Sequence, residues 1–163
     1  MQSTDDGMDE CSAKINQVYD YFFNQGQFFN RDEIPFDESF NNIIVCMFNL
    51  IALIDVKKLT ALERVGVLAA KEYWLNKERD LAFLIATIKN KIFNQEFVSY
   101  TSDTTEKAEI ARCVLCVVNL YDSADFTIYD GVESLLDALE ALSVSDQQIL
   151  NVVETYFKHK KGM

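Results

Sequence analysis

A single proline, Pro35, interrupts the 163 residues of this chain, and only five glycines accompany it. Proline removes a backbone donor and glycine weakens a helix, so a chain with so few of either is free to form long helices. Apolar residues recur every three or four positions along most of the sequence, which is the period of an amphipathic helix. A chain of this length buries roughly 70% of its unfolded surface and needs no metal or disulfide to fold. These features predict an all-α fold.

The apolar pattern predicts a single-domain bundle of six to eight helices over residues 1–163, with residues 1–7 frayed. The most apolar stretch, from about residue 40 to 55, is apolar on more than half of its helical circumference. A helix of that kind is packed on several sides, so we expect it at the centre of the bundle. Its apolar run is shorter than the roughly 20 residues that span a bilayer, and no membrane segment is expected.

Three pairs of residues have the spacing of a capping box, in which a side chain at each position satisfies a backbone amide at the other. They predict helix starts near residue 60, near residue 104 (for a helix to about 121) and near residue 145. Between residues 60 and 92 the pattern fits either one long kinked helix or two helices. The pairs are Thr60 with Glu63, Asp103 with Glu106, and Ser145 with Gln148.

The charge balance is strongly acidic, with 26 acidic and 15 basic residues and a formal net charge of −11. Such a field repels phosphates, so direct binding to nucleic acid or to anionic membranes is disfavoured. It attracts basic partners and accelerates their association. The first ten residues are acidic where a secretory signal would be basic, and we therefore expect a cytoplasmic protein.

The acidic residues are unevenly distributed, because the stretch from Cys113 to Phe157 contains eight of them and no lysine or arginine. Asp130, Glu133 and Asp137 are spaced by three and four, which places them on one face of a helix, opposite a leucine stripe. We predict that this stretch binds a basic partner. The predicted binding residues are Asp122, Asp125, Asp130, Glu133, Asp137 and Glu140.

The sequence offers few residues for catalysis or for metal binding. The one histidine, His159, lies in a lysine-rich final turn, so a nucleophile with a histidine base is not expected. Cys113 and Cys116 have the gap of a zinc ligand pair, but no second pair completes four ligands, and we expect buried, reduced thiols. No glycine-rich phosphate loop occurs. We predict no catalytic residues, no metal and no cofactor.

In its size, helicity and acidity the chain resembles the acidic, all-helical immunity proteins of bacterial contact-dependent or polymorphic nuclease toxins. Those proteins bind a cationic toxin domain, cover its active site and have no chemistry of their own. The resemblance implies a non-enzymatic inhibitor whose partner is a basic protein such as a toxin nuclease domain.

Two other classes of function remain open. A helical adaptor, such as a Bcl-2-like regulator, would hold an amphipathic helix in a groove beside residues 43–54. The other class is a carboxylate or metal-dependent enzyme that works without histidine.

Overall fold

The computed structural model describes residues 36–95, 105–121 and 127–161. Within these ranges the chain forms six α-helices and two single-turn 3-10 helices, and it forms no strand, so the predicted all-α class is confirmed. Residues 1–7, predicted to be frayed, lie outside these ranges. The helices are α1 (Phe36–Ile51), α2 (Ala61–Leu75), α3 (Ala82–Gln95), α4 (Glu106–Val117), α5 (Thr127–Ala141) and α6 (Asp146–Lys161), and the 3-10 turns are Val56–Lys58 and Arg79–Leu81.

Helix α1 is the predicted central apolar helix. Between Phe40 and Ile51 every side chain is buried except those of Asn41, Val45 and Asn49, which confirms that it packs on most of its circumference. The helix ends four residues before the predicted limit of 55. Its backbone tightens there, because the amides of Leu53 and Ile54 bond to carbonyls three residues back instead of four.

The capping box predicted at Thr60 opens α2. The Thr60 hydroxyl accepts from the Glu63 amide at 3.1 Å, and the Thr60 amide donates to Glu63 Oε1 at 2.8 Å. Helices α2 and α3 are a pair and not one kinked helix. Lys77 separates them in a left-handed conformation, with φ at 59°.

The start of α4 differs from the prediction. Thr105 is its N-cap and accepts from the Ala108 amide at 3.3 Å. Asp103, predicted to form a capping box with Glu106, lies outside the described residues. The helix also ends at Val117, short of the predicted limit near 121. The box at the start of α6 is confirmed, since Ser145 Oγ accepts from the Gln148 amide at 3.1 Å and the Ser145 amide donates to Gln148 Oε1 at 3.2 Å.

The chain divides into two compact units. One, Met47–Ser143, contains α2 to α5; in it α4 packs most extensively on α5, α2 packs on α3, and both of these pack on α4. The other consists of the residues up to Cys46 and from Val144 onward. In this unit the Tyr156 hydroxyl bonds to Asn42 Oδ1 at 3.2 Å, joining α6 to the first part of α1. The single domain expected for residues 1–163 stays a prediction.

Candidate functional site

Four of the six predicted binding residues form one exposed row on α5, which we call the acidic face. It consists of Asp130, Glu133, Asp137 and Glu140, and all four side chains are exposed. The spacings of three, four and three keep them on one side of the helix, over about 15 Å of its length. The apolar residues between them are buried, so the amphipathic pattern is confirmed. These buried residues are Val132, Leu135, Leu136, Ala138 and Leu139.

The acidic face has no counter-charge in the part of the chain that the structure describes. None of its carboxylates makes an ion pair or a hydrogen bond to another side chain there. Asp130 lies in the first turn, where the helix dipole favours a negative charge. The other members gain no such support, because like charges three and four residues apart destabilise a helix and Glu140 stands near the negative end of the dipole. Asp122 and Asp125 lie outside the described residues.

The first turn of α5 is held in place by Tyr121. The Tyr121 hydroxyl donates to the Cys116 carbonyl at 2.6 Å, and its buried ring lies directly against the backbone of Gly131. A Cβ atom at Gly131 would come within 2.1 Å of the Tyr121 oxygen. Glycine at this position allows α5 to approach the ring, and this contact sets the position of the neighbouring Asp130.

A cleft of about 320 Å³, here called the Tyr121 cleft, opens beside the acidic face. Lys89 Nζ donates to Asn119 Oδ1 across it at 2.9 Å. Sequence reasoning missed this cleft, because its lining comes from three helices and one linker whose residues share no pattern. The lining residues are Lys89, Phe93, Leu115, Cys116, Asn119, Tyr121, Thr127, Asp130, Gly131 and Ser134.

A second, more apolar cavity of about 440 Å³ lies where the end of α1 and the following turn meet α2. We call it the α1–α2 groove. Two of its apolar side chains are strongly exposed, Val56 at 57% and Leu68 at 63%. The sequence predicted a groove beside residues 43–54 only as an alternative. The lining residues are Ile51, Ala52, Ile54, Asp55, Val56, Leu59, Arg64, Val67, Leu68 and Lys71.

The three cysteines that the structure describes, Cys46, Cys113 and Cys116, are free thiols in the interior, as predicted. Burial raises the pKa of Cys46 and of Cys113 above the ordinary thiol range. Burial, with a smaller contribution from the negative charge of Asp137, raises the pKa of Cys116 to about 12. Since the thiolate is the nucleophile and the metal ligand, these groups are inert at neutral pH.

The described residues offer neither a metal site nor a membrane-spanning helix. Residues 36–95, 105–121 and 127–161 contain no group of three or more histidine, cysteine, aspartate or glutamate side chains placed to hold a metal ion. None of the described helices is both long and apolar enough to cross a bilayer.

Comparison of the chain with protein-family models, with curated proteins and with solved structures finds no match.

Proposed function

We propose that the protein is a non-enzymatic binding protein that holds a basic protein partner against the acidic face of α5. The observation that carries this proposal is the row of four exposed carboxylates without a counter-charge on a helix whose other side is buried. Surface charges that serve only solubility are normally interspersed with charges of the opposite sign. Here a stretch of 45 residues, from Cys113 to Phe157, has no basic residue.

The physical role of the acidic face is to attract and orient the partner. A surface of one sign raises the rate of encounter with a partner of the opposite sign, and the rate falls as salt screens the field. Arginine pairs best with carboxylates, because its planar fork donates two parallel hydrogen bonds. A partner with several arginines on one surface would relieve the repulsion among Asp130, Glu133, Asp137 and Glu140.

The class of partner that fits best is a nuclease domain, such as the catalytic domain of a bacterial toxin. A nuclease binds phosphates and so exposes a basic surface around its active site. An acidic helix placed on that surface competes with the nucleic acid and blocks cleavage. The resemblance to immunity proteins in size, helicity and charge supports the same class.

The test begins with a pull-down from the native host at low salt, followed by elution with a salt step and identification of the eluted protein. A stoichiometric basic protein is the expected result. Its association rate is then measured with wild type and with the triple variant D130N/E133Q/D137N, over a range of salt. The variant should associate about tenfold more slowly at low salt and with a flatter salt dependence.

A matched control separates the acidic face from the net charge. The variant E72Q/E78Q/D80N neutralises three exposed acids on other elements of the chain, and it changes the net charge by the same amount. Its association rate should stay within about twofold of wild type. Equal slowing in both triple variants would mean that total charge alone acts, and no slowing in either would mean that the acidic face is only solvated.

No observation favours the histidine-free enzyme. A metal-dependent enzyme would need carboxylates that converge on one ion, and the described residues contain no group of three or more side chains placed to hold one. The acidic face lies along one helix with its carboxylates pointing to solvent.

A further inference from the structure

The α1–α2 groove is an apolar surface without an occupant among the residues that the structure describes. Leu68 exposes 63% of its surface and Val56 exposes 57%, although both stand beside buried apolar residues such as Ile51 and Val67. Contiguous exposed apolar surface on a folded domain is typical of interaction sites. The cavity volume of about 440 Å³ lies within the range of natural binding pockets.

Two cations flank the apolar lining. Arg64 and Lys71 are seven residues apart on α2, which places them on the same face of the helix and about 10 Å apart along its axis. Neither makes an ion pair with any residue in the described ranges. The one acid in the lining, Asp55, accepts a hydrogen bond from the Lys57 amide at 3.0 Å and caps a 3-10 turn.

We propose that the α1–α2 groove docks an amphipathic helix of a partner protein, with acidic residues along one edge of that helix. The apolar lining would receive side chains at positions i, i+4 and i+7, which is the usual mode of helix-in-groove recognition. Arg64 and Lys71 would pair with carboxylates seven residues apart on the partner. This site is independent of the acidic face and takes a ligand of opposite charge.

A second copy of this chain is a poor occupant. An acidic helix of the same protein would need a free apolar side to enter the groove. The large apolar residues of α5 that the structure describes are buried, and in α6 Ile149, Leu150 and Val153 are buried while Val152 and Tyr156 are partly buried. Among the described residues, neither helix therefore presents a fully exposed apolar face.

The experiment is a selection of helical peptides displayed on phage against the full-length protein. The library has a fixed apolar heptad pattern and random charged residues at the flanking positions. Peptides that survive counter-selection against the variant L68S are synthesised, and their dissociation constants are measured by fluorescence anisotropy. We expect the selected peptides to carry two acidic residues seven positions apart beside the apolar stripe.

Two pairs of variants test the geometry. L68S should weaken the selected peptide about tenfold or more, whereas V65S, which alters an exposed apolar residue outside the lining, should leave its affinity within twofold. R64Q/K71Q should weaken binding about tenfold. The control K77Q/K91Q removes the same two charges from exposed positions elsewhere and should have little effect.

Three results would overturn the proposal. The first is a selection that yields no peptide whose binding depends on Leu68, and the second is one that yields peptides with basic flanks. The third is a dimer of the wild-type protein in sedimentation velocity that disappears in L68S, since the occupant would then be a second copy. The variant D130N/E133Q/D137N should bind the selected peptide like wild type, so failure of this proposal is distinct from failure of the acidic-face proposal.

Discussion

Replacing Gly131 with alanine tests how α5 and its acidic face are positioned. The added Cβ would lie 2.1 Å from the Tyr121 oxygen, 2.8 Å from its Cζ atom and 3.1 Å from Cε1. Contacts this short cannot persist, so the Tyr121 ring must move by about 1 Å or α5 must move away from α4. The ring is buried, and its hydroxyl is bonded to the Cys116 carbonyl at 2.6 Å, so neither movement is free.

The expected cost of G131A combines three contributions. Overpacking of a buried site costs about 1–3 kcal/mol. Displacement of the Tyr121 hydroxyl from its buried acceptor adds about 1–3 kcal/mol. The higher helix propensity of alanine offsets this cost by about 1 kcal/mol relative to glycine. The free energy of unfolding should therefore fall by about 3 kcal/mol, which corresponds to a decrease in Tm of roughly 10 °C for a chain of this size.

The assay is urea unfolding of four proteins: wild type, G131A, Y121F and the double variant. Once the hydroxyl is removed, the untethered ring can tilt, so G131A should cost at least about 1 kcal/mol less in the Y121F background. G66A is the matched control. A Cβ at Gly66 would meet only methyl groups, at 2.9 Å from Ile88 and 3.2 Å from Val118, and its net effect should stay below about 1 kcal/mol.

A G131A variant as stable as wild type would contradict the close packing of Gly131 against Tyr121, because helix propensity would then dominate. An equal cost of G131A in both backgrounds would show that the Tyr121 hydroxyl has no part in the constraint.

Further effects on stability follow from single interactions. T60A should lower the free energy of unfolding by about 1 kcal/mol, because it removes the side chain that caps the Glu63 amide, and urea unfolding checks the value. Y156F should cost about 0.5–1.5 kcal/mol through loss of its hydrogen bond to Asn42, measured in the same way. Stability should also fall as the pH rises above about 8.5. Thiols of the unfolded chain ionise there, whereas burial keeps the folded thiols protonated; each thiol contributes up to about 1.4 kcal/mol per pH unit, up to about pH 12 for Cys116. Urea unfolding at pH 7.5 and at pH 10 measures how steeply the free energy of unfolding falls with pH. This slope should be shallower in C116A than in wild type. Equal slopes in the two proteins would mean that the Cys116 thiol is accessible to water in the folded state.

The sequence predicted most helices well because their apolar stripes and caps are local signals. The box at Thr60 needs only a residue three positions on, and the stripe of α5 needs only its own turns. Prediction was poorer at helix ends. Thr105 caps the start of α4, whereas the sequence pattern favoured Asp103. Threonine and aspartate are both favoured N-cap residues, so the sequence alone gives no reason to prefer one over the other.

The Tyr121 cleft was beyond local reasoning, because its lining comes from three helices and a linker spread over residues 89 to 134. The α1–α2 groove is formed by consecutive elements between residues 51 and 71, but its lining depends on how these elements pack and not on a sequence period. The spacing of Leu62, Val65, Leu68 and Ala69 predicts that they form the buried stripe of α2. In the fold Ala69 is buried, together with Val67, whereas Val65 and Leu68 are exposed. Only the positions of the neighbouring helices decide which residues of a broad apolar stripe remain uncovered.

The positions of charged residues within a helix can be predicted from the sequence, but their long-range ion pairs cannot. The sequence places Glu106 and Glu109 in the first turn of a helix, where they are ordinary complements of the dipole. The fold brings Lys58 to Glu106, 3.0 Å away and 48 positions distant in the chain. Glu109 pairs locally instead, with Arg112 three positions on in the same helix. The acidic face of α5 and the cations of the groove receive no such partner in the described residues. The fold therefore pairs some charges and leaves the carboxylates of the acidic face and the two cations of the groove without a partner among the described residues. Substitution at these positions removes no ion pair seen there, so it should change binding more than stability.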